Sequence, residues 1–200
     1  MTSITSVCVY CGSSPGRAPH YLEAGQALGA QIARAGLRLI YGGGTRGVMG
    51  AVSRGAIEAG GKVTGIIPRF LLSKEAADGQ HAGLDELLVV DTMHTRKHMM
   101  FERSDAFVAL PGGIGTVEEI IEIMTWAQLG HHRKPMIFAN QKGFWNPMRD
   151  LLDHMAAEGF VHTAHNVQPM FIEAVDGIVP ALLGASATGN VGDERVIRRM

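Results

Sequence analysis

The sequence predicts an α/β fold, a single doubly wound, Rossmann-like parallel sheet with helices on both faces. Three observations carry that prediction. Short, continuous apolar runs such as Ala106-Phe107-Val108-Ala109-Leu110 have the composition of strands buried on both faces. These runs are followed by small or glycine-rich turns and then by helical periodicity. The succession repeats six or seven times without a break in composition, an internal repeat or a low-complexity linker. Two hundred residues, 46% of them apolar, suit one domain with a sizeable core. That domain is placed at 1–184, and 185–200, which lacks a periodic pattern, is expected to be a flexible tail.

Residues 6–10 read as the first strand, and Cys11-Gly12-Ser13-Ser14-Pro15-Gly16 as the loop at its carboxyl end, the edge where open α/β sheets bind ligands. The Ser13 and Ser14 hydroxyls can donate to a phosphate or a ribose, although small residues in a turn need no such purpose. A helix over 21–35 leads to a strand at 37–41 and to Gly42-Gly43-Gly44-Thr45-Arg46-Gly47-Val48-Met49-Gly50, which opens a helix to about Ala59. Gly42, Gly44 and Gly47 match Gly-x-Gly-x-x-Gly. A dinucleotide fold, however, puts a ribose-binding acid at the end of the next strand, and here the strand at 63–67 ends in Pro68-Arg69. The loop, Gly43 and Gly44 included, is therefore read as a second point of close backbone approach, with Met49 either packed on a ligand ring or filling core.

Periodicity is lost over 71–84, a stretch that either covers a site or only connects elements, with Glu75 as its candidate polar contact. A strand at 87–90 precedes a helix over 93–103. Arg96 and Lys97 near its start sit on the same sheet edge as the glycine loops. Cations there oppose the helix dipole, which hints at a functional reason, a solvated pair being the alternative. Further on, Ile120, Ile121, Ile123, Met124 and Ala127 form an apolar surface wider than one stripe, suited to burial on most sides, another subunit included. A strand at 136–139, a helix over 146–158 and a last helix over 175–183 complete the chain.

The stretch around which the rest is organised is Leu110-Pro111-Gly112-Gly113-Ile114-Gly115-Thr116-Val117-Glu118-Glu119. Pro111 ends a buried strand. Gly112, Gly113 and Gly115 let a ligand approach the main chain, and Thr116 is a good N-cap for a helix from about Val117. Free N–H groups and the helix dipole at such a turn favour an anion, so the loop reads as a phosphate cradle. Glu119 also satisfies a capping box with Thr116, which gives it a credible structural role. Glu118 points about 100° away around the helix, so the two carboxylates do not face each other.

A net charge of −1 with scattered basic residues carries no footprint of polymeric nucleic acid or of a polybasic membrane surface. No apolar stretch approaches the ~20 residues needed to cross a bilayer, and the cytoplasm is the expected location. Cys8 and Cys11 form a Cys-x-x-Cys, but Cys8 lies inside a strand, and zinc would need a second pair. His94 and His98, four apart on a helix, have no third metal ligand in place. No Schiff-base lysine with a partner for a pyridoxal ring can be placed either.

These motifs, with Met93-His94-Thr95-Arg96-Lys97 and Thr125-Trp126-Ala127-Gln128-Leu129-Gly130, resemble the LOG ("lonely guy") cytokinin riboside 5′-monophosphate phosphoribohydrolases, once labelled lysine-decarboxylase-like, over roughly residues 6–180. The resemblance implies hydrolysis of the N-glycosidic bond of cytokinin riboside 5′-monophosphates, with AMP a further candidate, giving free base and ribose 5-phosphate without a metal or redox cofactor. It implies that Arg96 and Glu119 are the catalytic pair and that Gly113, Gly115 and Thr116 belong to the phosphate loop. It places Glu75, Lys97, Glu118 and Thr125 around the substrate, and it implies a homodimer with sites near the interface. The competing reading is a protein that holds a nucleotide or another phosphorylated cofactor without cleaving it.

Overall fold

The computed structural model describes residues 3–75, 83–161 and 169–188. Seven parallel strands form one sheet among them: β1 (Ser6–Tyr10), β2 (Arg38–Tyr41), β3 (Val63–Pro68), β4 (Glu86–Val90), β5 (Ala106–Ala109), β6 (Met136–Ala139) and β7 (Met170–Ile172). Their order is β4-β3-β2-β1-β5-β6-β7. β1 pairs with both β2 and β5, Val9 beside Tyr41 and Tyr10 beside Ala109. The chain winds outward in one direction from β1 and in the other from β5. The carboxyl ends of these two strands therefore flank the crevice where an open sheet of this kind receives a ligand.

Among the described residues seven α-helices accompany the sheet: α1 (His20–Arg34), α2 (Gly47–Glu58), the short α3 (Leu72–Glu75), α4 (Met93–Glu102), α5 (Ile114–Gln128), α6 (Asn146–Ala157) and α7 (Ile178–Thr188). Because successive strand residues point to opposite faces, β1 serves two cores. Val7 and Val9 pack with Leu28 and Ile32 of α1, Val52 of α2 and Leu182 of α7. Cys8 and Tyr10 pack with Met100 of α4, Ile120 and Ile123 of α5, and Trp145. The apolar runs that predicted strands are buried throughout in β1, β5 and β6.

Four elements differ from the sequence reading. α5 begins three residues early, at Ile114. The stretch after β3 contains a turn of 3-10 helix, Arg69–Leu71, and then α3 before it passes outside the described residues at 76. β7 was not foreseen; at three half-buried residues it is too short to show a pattern. The last helix is shifted to Ile178–Thr188, with 3-10 geometry over Val175–Gly177, and 189–200 lie outside the described residues.

The two cysteines are buried and free, Cys8 within β1 and Cys11 just past its end in the core of the other face, and burial raises both thiols well above their usual range. Among the described residues no helix is long and apolar enough to cross a membrane, and no group of three or more His, Cys, Asp or Glu is placed to hold a metal ion.

Candidate active site

The loops after β1 and β5 are tied together across the crevice. Gly12 donates its N–H to the Pro111 carbonyl at 3.2 Å, and a Cβ on Gly112 would stand 2.8 Å from the Gly12 nitrogen and 2.1 Å from Thr116 Oγ1. Gly112 is therefore needed for packing between loops. Gly113 and Gly115 differ: both are exposed, and a Cβ at either would meet nothing within 4 Å.

The helix start overturns the capping box. Gly113 is the N-cap, extended at φ −97°, with no side-chain cap, and Val117 N–H makes the first helical bond, to the Gly113 carbonyl at 3.1 Å. Thr116 is thus the third residue of α5, buried beside Gly112, and Glu119 lies a turn further on, where it cannot reach a cap. The N–H groups of Ile114, Gly115 and Thr116 have no acceptor within the helix, and a side chain at Gly113 or Gly115 would enter open space. The glycine-rich helix start read from the sequence is present, with Gly113 and not Thr116 as its cap.

The second glycine loop is arranged differently. The N–H groups of Val48 and Met49, in the first turn of α2, already donate to the carbonyls of Ser14 at 3.4 Å and Gly12 at 3.1 Å. Gly44 N–H points at the Met49 sulfur, 3.1 Å away, and a Cβ on Gly43 would meet Ile67 at 2.9 Å. Met49 is buried in the core under the loop. Gly47 combines φ +57° with a Ser13 carbonyl only 2.4 Å from where a Cβ would be. Gly47→Ala is therefore expected to cost about 3 kcal/mol or more in chemical denaturation. Gly36→Ala, at φ +72° in open space, should cost only about 1 kcal/mol.

Arg96 and Lys97 sit fourth and fifth in α4, behind a true cap: Thr92 Oγ1 accepts from Thr95 N–H at 3.0 Å. The two cations part company. Lys97 binds Glu118 at 2.5 Å and Glu122 at 3.1 Å on the outer side of α5. Arg96 is 4% exposed; its Nη2 donates to the Gly42 carbonyl at 3.4 Å and its Nη1 lies 3.7 Å from Glu119 Oε1. Among the described residues, Arg96 Nε is buried without a partner, and so is Oε2 of Glu75, which stands beside the glycine loop with its carbonyl accepting from Thr45 N–H at 2.9 Å. One buried donor and one buried acceptor left open in the same neighbourhood mark a place built for something polar.

Burial lifts the Glu119 carboxyl to a pKa of about 7; Arg96 pulls against that rise, while Glu118 and Glu75 add to it. A carboxylate poised near neutrality beside a fixed cation can trade a proton or meet a developing positive charge. If the ionised form does the work, kcat/KM should fall as pH drops below about 7, and titrating Glu119 by isotope-edited NMR should give the same midpoint.

The structure therefore brings Arg96, Glu119, Gly113, Gly115 and Thr116 together, with Glu75 close by. Ser13 is exposed on the β1 loop, its backbone against Gly47. Thr125 is exposed on the Glu118–Glu122 stripe of α5, its hydroxyl donating to the Ile121 carbonyl at 2.8 Å, away from the buried pair. Two contributors escaped the sequence reading. Glu122 was legible as the residue one turn from Glu118. Gly42, which receives Arg96, is 54 positions away from it.

This arrangement at the switch point of a doubly wound sheet defines an α/β class with a glycine-rich helix start beside a buried carboxylate–guanidinium pair. The chain belongs to the family described as "Possible lysine decarboxylase", whose pattern matches residues 49–182. Within it, the chain is a member of the LOG family of phosphoribohydrolases. It is 43% identical over 178 residues to the cytokinin riboside 5′-monophosphate phosphoribohydrolase of Rhodococcoides fascians, covering 88% of each chain. It is 44% identical over 155 residues to the Oryza sativa enzyme named LOG, covering 78% of this chain and 63% of that one. In three dimensions it resembles the molybdenum cofactor carrier protein of Chlamydomonas reinhardtii, with a TM-score of 0.68 over 92% of this chain and 99% of that one. At 22% identity that likeness is one of fold.

Proposed function

We propose that this protein hydrolyses the N-glycosidic bond of cytokinin riboside 5′-monophosphates, and of AMP, to free base and ribose 5-phosphate. The observation that carries the proposal is the spacing within α5. Three open N–H groups at its start stand one turn, about 5.4 Å, before the buried Glu119–Arg96 pair. A 5′-phosphate on those N–H groups places the sugar along that turn, with C1′ over Glu119.

Cleavage of such a bond develops positive charge at C1′. Glu119 meets that charge, either by bonding to C1′ or by orienting the water that does. Water supplies the hydroxyl that ends on C1′ and the proton that leaves with the base. Arg96 holds Glu119 and offers its free Nε to a sugar oxygen, while the open Glu75 oxygen accepts from a substrate N–H or O–H. Gly112, Gly113, Gly115 and Thr116 shape the phosphate seat. Ser13, Gly43, Gly44 and Met49 line its neighbourhood, and Lys97, Glu118 and Thr125 mark the rim. No step calls for a metal or redox cofactor.

The protein is further proposed to be a homodimer through the outer face of α5, where Ile114 (89% exposed) and Leu129 (67% exposed) flank half-buried Ile121. Leu129→Glu should then sediment as a monomer.

The function is tested by chromatography of free base after incubating metal-free protein with N6-isopentenyladenosine 5′-monophosphate, AMP and the matching nucleoside. Base from the nucleotides but not from the nucleoside is the expected result. Bound but intact nucleotide would identify a carrier instead.

A further inference from the structure

Gly42, the first residue after β2, has no part in the reaction as described so far, and the inference drawn from it rests on that reading. We propose that Gly42 is a positioning residue for Arg96, its carbonyl and its bare Cα together forming the seat that sets the guanidinium against Glu119. The carbonyl accepts from Arg96 Nη2 at 3.4 Å. A Cβ at Gly42 would stand 2.0 Å from that same nitrogen, 3.2 Å from Cζ and 3.1 Å from the Met49 sulfur. Gly42 is not among the glycines with positive φ, so conformational freedom does not explain the residue; space does. The guanidinium has little room to retreat, because Arg96 is 4% exposed and its Nη1 is engaged with Glu119 at 3.7 Å and the Met93 sulfur at 3.9 Å. A methyl group at Gly42 would move Nη2, and with it both the alignment toward Glu119 and the aim of the unpartnered Nε. Gly42 thus acts on the reaction through Arg96 without touching the reacting atoms.

Glu119 itself is faced by Arg96 and Lys97 from α4, Glu75 from α3 and Glu118 from its own helix, and it acts on Cys8, Tyr10 and Cys11 of β1 and its loop. Among the charged groups, Arg96 affects it most.

The test needs no substrate. The Glu119 carboxyl is titrated by NMR in protein labelled at glutamate and assigned with Glu119→Gln. Wild type, Gly42→Ala, Arg96→Ala and the double variant are compared, and thermal melting is recorded for all four. The Glu119 midpoint is expected to rise by about one pH unit in Arg96→Ala and in the same direction in Gly42→Ala. In the double variant it should equal that of Arg96→Ala alone. The melting penalty of Gly42→Ala should largely vanish once Arg96 is truncated, because the obstacle is gone. If Gly42→Ala alone does not fold, recovery of folding in the double variant carries the same conclusion. An unchanged Glu119 midpoint in folded Gly42→Ala, penalties that simply add, or a double variant that remains unfolded would overturn the proposal. Base release is assayed separately, so failure of the phosphoribohydrolase reading would be distinguishable from failure of this one.

Discussion

Glu119→Gln is expected to lower turnover by roughly 10³-fold or more while making the folded protein more stable above neutral pH. The amide has the size of the acid but can neither bond to C1′ nor meet its charge. The gain in stability follows from linkage. Burial places the folded-state pKa at about 7 against an ordinary 4.5, so folding favours the protonated acid. That contribution is complete below pH 4.5 and is lost as pH rises through 7. At pH 8 and above the ionised carboxylate costs about 3 kcal/mol, which an amide does not incur. Melting curves of the two proteins should therefore coincide at low pH and separate in favour of the variant at high pH. A variant that keeps its turnover, or that melts lower than wild type at pH 8, would sink the assignment.

Removing the substrate's 5′-phosphate should be nearly as damaging. Three charge-assisted hydrogen bonds of about 1.5 kcal/mol or more each amount to some 4–5 kcal/mol, or about 10³-fold in kcat/KM. The loss should appear in kcat as well as KM, because the phosphate's binding energy holds the sugar over Glu119. Free phosphate added with the nucleoside should restore part of the rate. Equal turnover of nucleoside and nucleotide would remove α5's first turn from the mechanism.

Much of this was legible in the residues. The runs at 6–10, 106–109 and 136–139 are strands buried on both faces, as their largely apolar composition implies. The angle between Glu118 and Glu119 is fixed by helix geometry, and it sends one to Lys97 and the other to Arg96. The start of α5 differs from its sequence pattern because glycine is a poor helix former, so that Gly115 reads as turn and Thr116 as cap. The actual turn needs only Gly112 and Gly113, and the exposed Gly115 continues as helix. The loop at 42–47 reads as a close backbone approach, and the contacts behind it are with protein: a Cβ at Gly42, Gly43, Gly44 or Gly47 would stand 2.0–2.9 Å from a neighbouring atom. Such contacts join residues that are tens of positions apart, and no local pattern reports them. Arg96 was legible as a misplaced cation, but its burial depends on Gly42, Met93 and Glu119 meeting in space.

The closed first turn of α2 has a further consequence. Two glycine-rich turns lie on the same edge of the sheet, but Gly12 and Ser14 present carbonyl oxygens to the second helix where a second anion would have to sit. The start of α2 is thereby spent on holding the β1 loop in place, and the two helix starts on this edge are not equivalent. For the proposed reaction this leaves one helix start for the phosphate: the first N–H groups of α5 have no helical acceptor, whereas those of Val48 and Met49 are already held by the β1 loop.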